Sequence, residues 1–285
     1  MYVAVQRHKS LTARKTRPIV QNMNHSSHQA DTRDLVRFGI RDDVAFVELH
    51  RPGKHNALVP ELLEDFLTRI GQVRDSDAKV LVLQAAGRSF CTGGDMRGFL
   101  DNWARIADYS HGLVGQLNEA VMALREIPQP VITAVQGWVT GGGLGFVLGS
   151  DVVLLADNAR FAPFYVDVGY SPDGGWGRLL QRVIGPRAAA EIQLRNRVMP
   201  AEEAVRRGLA NEIVDGDPRA TAERLAREIS RKVPHSLYST KRLMDGDRAA
   251  WRADLEAERQ AFLECVQMPG MRERVAEFVK ALEGA

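Results

Sequence analysis

Two glycine-rich loops carry the residues best suited to chemistry. The first is Arg88-Ser89-Phe90-Cys91-Thr92-Gly93-Gly94-Asp95, and the second is Gly137-Trp138-Val139-Thr140-Gly141-Gly142-Gly143-Leu144-Gly145. Glycine lets a ligand approach peptide N–H groups closely, and a helix start leaves several such donors unpaired and slightly positive. Two loops of this kind can form an anion-binding pair of amides. Neither ends in the Lys-Ser/Thr of a phosphate-binding P-loop, and the G-x-G-x-x-G spacing is absent, so a developing oxyanion suits them better than a triphosphate. Glycines that only allow tight helix–sheet packing would leave the same trace.

The elements around these loops alternate between strand and helix. Leu35–Ile40 and Val44–Leu49 read as a hairpin around Arg41-Asp42-Asp43, and Pro60 to Ile70 has apolar residues at helical spacing. Lys79–Leu83 carries a continuous apolar run over Val80–Leu83, suited to a buried strand. A loop over 89–94, a helix over 109–127, a strand over 130–135, a helix opened by Gly141-Gly142-Gly143 and a strand over 152–156 continue the pattern. Beyond Gly175 the expected elements are helices, at 177–184, 187–195, 201–208, 218–232, 236–245, 249–266 and 271–283. The chain thus reads as an α/β core over 34–200 and a helical part over 201–285. The apolar stripe Leu225, Ile229, Leu237, Leu243, Phe262 and Val266 is available to pack on the core or on another subunit.

Composition narrows the classes. The 285 residues allow one large domain or two small ones, and two cysteines, Cys91 and Cys265, give no disulfide framework or Cys-rich zinc site. A reducing, cytoplasmic setting follows as the default. The 38 basic and 36 acidic residues nearly balance, but residues 1–33 carry six bases against Asp31 alone, so the remainder is slightly acidic. This basic, Ser/Thr-containing stretch reads as a disordered extension or an over-long start, with an organelle transit peptide as the alternative. No apolar run is long enough to span a bilayer, and the seven histidines are scattered without ligand spacing, so neither a membrane nor a metal site is expected.

Several spaced motifs then agree. Val47-Glu48-Leu49-His50-Arg51-Pro52-Gly53-Lys54-His55-Asn56-Ala57-Leu58, Ser89 to Asp95, Pro130 to Gly137 with Gly141-Gly142-Gly143, Ser150-Asp151 and Ala159-Arg160-Phe161 occur in order. Together they resemble the enoyl-CoA hydratase/isomerase (crotonase) superfamily from about residue 34 to the C-terminus. The resemblance implies a ClpP-like spiral of ββα turns, a helical C-terminal part that builds a homotrimer or a dimer of trimers, and acyl-CoA thioester substrates. CoA then arrives as part of the substrate, no separate cofactor is implied, and nucleic acid is not an expected partner. The thioester oxygen would sit between the N–H groups of Gly94 and Gly142, which suits the charge of an enolate.

The resemblance also bears on the reaction. Hydratases of this family carry two glutamates at positions that here hold Gly145 and Tyr165, and neither glycine nor a phenol of pKa about 10 replaces a carboxylate at neutral pH. A carboxylate does occur in Gly169-Tyr170-Ser171-Pro172-Asp173-Gly174-Gly175, which resembles the proton-shuttle turn of the 3-enoyl to 2-enoyl-CoA isomerases. A 1,3 proton shift needs one base, and Asp173 is its candidate. By spacing alone Asp173 reads as a helix N-cap before Trp176–Leu180. Asp167 is an alternative acid, with a surface carboxylate as its ordinary role.

The substrate-binding candidates are Arg51, Lys54 and Ala57 toward the adenine end, with Phe90, Met96, Trp138, Gly141, Tyr165 and Trp176 around the acyl group. The aromatic bulk of Trp138, Phe164, Tyr165, Tyr170 and Trp176 favours a flat, cyclic or aromatic acyl chain. Hydratase, hydrolase or dehalogenase chemistry stays open beside isomerisation, although the helper Trp and His of the family's dehalogenases fall on Tyr165 and near Asn118. A catalytically silent acyl-CoA or RNA-binding member of the fold is the remaining alternative.

Overall fold

A computed structural model of the chain describes residues 34–283, so the extension expected over residues 1–33 lies outside the described residues. Its strands are β1 (Val36–Arg41), β2 (Val44–Leu49), β3 (Val80–Ala85), β4 (Val131–Val135), β5 (Trp138–Thr140), β6 (Val152–Leu155), β7 (Arg160–Ala162), β8 (Met199–Pro200) and β9 (Glu212–Ile213). The helices are α1 (Pro60–Arg74), α2 (Met96–Asp101), α3 (Ile106–Glu126), α4 (Leu144–Leu148), α5 (Tyr165–Val168), α6 (Leu180–Ile184), α7 (Pro186–Leu194), α8 (Ala201–Arg206), α9 (Pro218–Ser230), α10 (Pro234–Met244), α11 (Arg248–Val266) and α12 (Met271–Glu283).

The main sheet has the order β1-β2-β3-β4-β6-β9, with β1 antiparallel to β2 and every other pair parallel. Its central strands are apolar on both faces because both are covered. Leu81 and Leu83 of β3 and Val131 and Val135 of β4 join the large core with α1 and α3. The alternate residues Val80, Val82, Ile132 and Ala134 face a second core closed by Ala222 and Ala226 of α9. A one-residue slip of either strand would exchange these two faces. A small sheet, β5-β7-β8, stands apart from the first.

The hairpin and the long apolar strands lie where the sequence places them. The short strands β8 and β9 fall inside the stretch read as helical, and β9 adds an edge to the main sheet at Leu154 and Leu155. The residues after 200 are therefore joined to the core by strand pairing as well as by helix packing. In the expected stripe, Phe262 and Val266 are buried, while Leu243 is 84% exposed. No helix among the described residues is long and apolar enough to cross a membrane, and they contain no group of three or more His, Cys, Asp or Glu that could hold a metal.

The two glycine loops leave the C-terminal ends of β3 and β4 and are locked together. Cys91 donates its N–H to the Trp138 carbonyl at 3.2 Å, and Thr140 returns one to Cys91 at 3.0 Å. Gly137 sits at φ 60° with its missing Cβ only 2.0 Å from the Arg88 carbonyl oxygen. Gly137→Ala is expected to combine left-handed strain of ~1–3 kcal/mol with overpacking of ~1–3 kcal/mol. Urea unfolding should register a loss of ~3 kcal/mol or more, and an unchanged midpoint would contradict this account of the junction.

Candidate active site

The loops open onto a cavity of about 740 Å³, lined among others by Lys54, His55, Ala57, Gly94, Met96, Trp138, Gly141, Gly142, Tyr165 and Asp173. Gly93, at φ 73°, has no room for a side chain because a Cβ there would lie 2.9 Å from the Thr140 carbonyl and 3.0 Å from Gly141 Cα. That close approach brings the first loop against the start of the second, where Gly141–Gly143 forms a 3-10 turn leading into α4. Gly94 and Gly142 border the same cavity.

Asp173 enters from a third segment. Its turn packs directly on the second loop, since a Cβ on Gly174 would lie 2.8 Å from Gly142 Cα. A Cβ on Gly142 would in turn stand 3.6 Å from Asp173 Oδ1, so the acid and the glycine share one small volume. Asp173 as a whole is 7% exposed. It caps no helix: α6 begins only at Leu180, and Asp173 Oδ1 accepts a hydrogen bond from the Tyr165 hydroxyl at 2.5 Å. The same hydroxyl lies 3.1 Å from the Asp173 carbonyl oxygen. Burial, which penalises the charged form, pushes the Asp173 carboxyl up to about 6, and the Tyr165 hydrogen bond opposes that rise.

Tyr165 is held for this contact by the backbone. It opens the four-residue α5 between Phe164 at φ 60° and Gly169 at φ 100°. Burial foremost, and then the neighbouring Asp173, raise its phenol well above 10, so it is a neutral donor. Asp167, the alternative acid, points elsewhere: it is exposed, accepts a hydrogen bond from Asn196, and does not border the cavity.

A second buried acid steadies the turn. Glu258 of α11 accepts the Gly175 N–H at 2.7 Å and the Arg178 N–H at 2.5 Å. Burial lifts its carboxyl to about 7 despite those two donors. Its partners lie about 80 residues earlier in the chain, so no local pattern marks Glu258 in the sequence.

Three sequence candidates stand differently from expectation. Phe90 is fully buried in the core and does not border the cavity, because the first loop turns its side chain inward. Trp176 is also fully buried, and its indole N–H donates to the Gly141 carbonyl at 2.6 Å, which holds the second loop from beneath. Arg51 is turned into the protein, bonding Asp95 at 2.8 Å and the Ala57 carbonyl at 3.0 Å, so it fastens its loop to the first glycine loop. Arg88 and Arg97, which the sequence reading did not single out, border the cavity beside Lys54 and His55. Burial first, and then Arg88, lower the His55 pKa, and the ring also bonds Ser89 at 2.9 Å. Asn118, near which the resemblance puts the helper His of the dehalogenases, is tied to the Leu255 carbonyl and does not line the cavity.

Comparison with known proteins agrees with this architecture. A model of the enoyl-CoA hydratase/isomerase family matches residues 39–283. The chain belongs to this family, and it is an acyl-CoA-processing enzyme with the crotonase fold. Among its relatives, 4-chlorobenzoyl coenzyme A dehalogenase-2 of Arthrobacter sp is 30% identical over 241 residues, covering 83% of this chain and 87% of the relative. The 1,2-epoxyphenylacetyl-CoA isomerase of Escherichia coli (strain K12) is 32% identical over 200 residues, covering 69% and 76%. A crystal structure of an enoyl-CoA hydratase/isomerase from Mycobacterium paratuberculosis superposes with a TM-score of 0.80 at 27% identity, covering 87% of this chain and 99% of that one.

Proposed function

We propose that the protein shifts a double bond in an acyl-CoA from the 3- to the 2-position, with Asp173 as the single proton carrier. The observation that carries this reading is one buried carboxylate beside Gly142, Asp173, whose side-chain partner is a neutral hydroxyl and not a cation. The other acid bordering the cavity, Asp95, is engaged by Arg51 and caps α2 through the Arg97 N–H. Residue 145, where the hydratases carry a carboxylate, is glycine here, and a side chain there would have to displace Val121, since its Cβ would lie 2.5 Å from Val121 Cγ2 and 3.1 Å from the Gly174 carbonyl. Tyr165 already spends its hydroxyl on Asp173.

In the proposed reaction the Asp173 carboxylate removes a proton from C2. The electron pair moves into the thioester, and the oxygen of the resulting dienolate takes two hydrogen bonds from the Gly94 and Gly142 amides. Protonation at C4 by the same carboxyl returns the base and leaves the double bond between C2 and C3. Preorganised donors of this kind are worth ~2.7–4 kcal/mol each in the transition state, and a positioned acid–base group ~10²–10⁴-fold in rate. Lys54, Arg88 and Arg97 are the cations offered to the CoA phosphates, and no resident cofactor is required. Assembly into trimers through the helical part belongs to the same proposal, with exposed Leu243 and Met244 at the end of α10 as apolar surface for such a contact.

The test is a substrate panel. Conversion of 3-hexenoyl-CoA to the 2-enoyl ester should exceed hydration of crotonyl-CoA and halide release from 4-chlorobenzoyl-CoA. Faster hydration or halide release would overturn the isomerase reading. The base must be ionised, so kcat/KM should rise with pH through about 6 and level off above it. A profile that falls across that interval would point to Asp173 acting as an acid instead.

A further inference from the structure

We propose that Tyr165 is a positioning residue of this site, its hydroxyl holding the Asp173 carboxylate in one orientation and keeping it ionised in an apolar wall. The inference rests on the reading of Asp173 as the base. It is carried by geometry: one phenol hydroxyl lies 2.5 Å from Asp173 Oδ1 and 3.1 Å from the carbonyl oxygen of the same residue. A donor set against both the side chain and the main chain of one residue restricts rotation about the bonds between them. Tyr165 as a whole is 6% exposed, and left-handed residues stand at either end of its helix α5.

The groups that face Asp173 come from several elements. Tyr165 belongs to α5, Tyr170 lies just after it, and Glu258 reaches in from α11. Burial disfavours the ionisation of both Asp173 and Glu258, and the Asp173 charge further disfavours that of Glu258. Tyr165 alone among these three donates to the Asp173 carboxylate and favours its charge. A phenol supplies that hydrogen bond without adding charge, whereas a second carboxylate at residue 165 would repel the first. The residue at 165 thus commits the site to chemistry with one carboxylate.

Two variants of opposite sign test this in the full chain. Tyr165→Phe removes the donor and keeps the ring, and 3-fluorotyrosine installed at 165 makes a stronger donor of the same shape. The Asp173 carboxyl is followed directly by carbon-13 NMR, its resonance assigned with Asp173→Asn, and kcat and KM for 3-hexenoyl-CoA are measured alongside. In Tyr165→Phe the carboxyl should titrate about one pH unit higher, kcat at neutral pH should fall ~10-fold at unchanged KM, and part of the loss should return as pH rises. The fluorinated protein should titrate lower than the parent. An Asp173 carboxyl that titrates alike in all three proteins, or a loss expressed in KM, overturns the proposal. Titrations that move as expected in a protein without isomerase turnover would retain the Tyr165–Asp173 pairing and overturn the isomerase reading.

Discussion

Asp173→Asn is expected to remove nearly all 3-enoyl-CoA isomerisation, a loss of ~10²–10⁴-fold, while making the protein more stable at neutral pH. The two effects have one cause. The carboxyl titrates near 3.8 when unfolded and at about 6 in the folded protein, because burial disfavours the anion. Below the lower value both states are protonated and the site costs nothing. As pH rises from about 4 to 6 the unfolded chain releases its proton first, and folding loses free energy. Above 6 the full penalty of ~3 kcal/mol is present. Asparagine carries no such penalty and can still accept from Tyr165. Thermal unfolding at pH 7.5 should therefore move upward by several degrees, with little change at pH 3.5. CoA-ester affinity should be retained. Undiminished turnover, or destabilisation at pH 7.5, would refute this assignment of the base.

Gly142→Ala is the second large effect, and here the damage should be confined to catalysis. The added methyl would lie 2.5 Å from Leu117 Cδ2, 3.2 Å from Leu58 Cδ1 and 3.6 Å from Asp173 Oδ1. The first two neighbours are ends of flexible side chains and can move. The third marks the space where the carbon between amide and acid must lie in the proposed reaction. An acyl group pushed out of that space loses alignment with the Gly142 N–H, and one such donor is worth ~2.7–4 kcal/mol, or about 10²–10³-fold in kcat. Gly142 is not among the glycines with positive φ, so alanine adds no backbone strain. The expected result is a deep fall in kcat with an unfolding midpoint near that of the parent. Wild-type kcat would remove Gly142 from the oxyanion site.

The sequence carried the long elements and the loop glycines because their signals are local. Val80–Leu83 is apolar without interruption and Val131–Val135 is broken only by Thr133, and the two glycine loops follow these strands within a few residues. Strands β8 and β9 have two residues each, too few to register a period of two between helical stretches. Side-chain direction was the other obstacle. Trp176 follows Gly174 and Gly175, both at positive φ, and no helical or strand period tells which way such a turn throws the next ring. Arg51 and Phe90 turn away from the cavity for a related reason: their partners, Asp95 and the core, are set by how the loops fold onto each other. The Tyr165–Asp173 contact crosses eight positions that include the left-handed Gly169, so it too is a property of the turn.

The four tryptophans occupy unequal surroundings. Trp176 is wholly enclosed beneath the second loop, Trp251 lies under the Arg125 guanidinium, and Trp138 is 40% exposed at the rim of the cavity beside Phe164. Ring emission depends on the polarity around the indole, so arrival of a ligand at the rim falls on the most exposed of these three. The molecule thus contains its own optical gauge of occupancy, set at the entrance and independent of turnover.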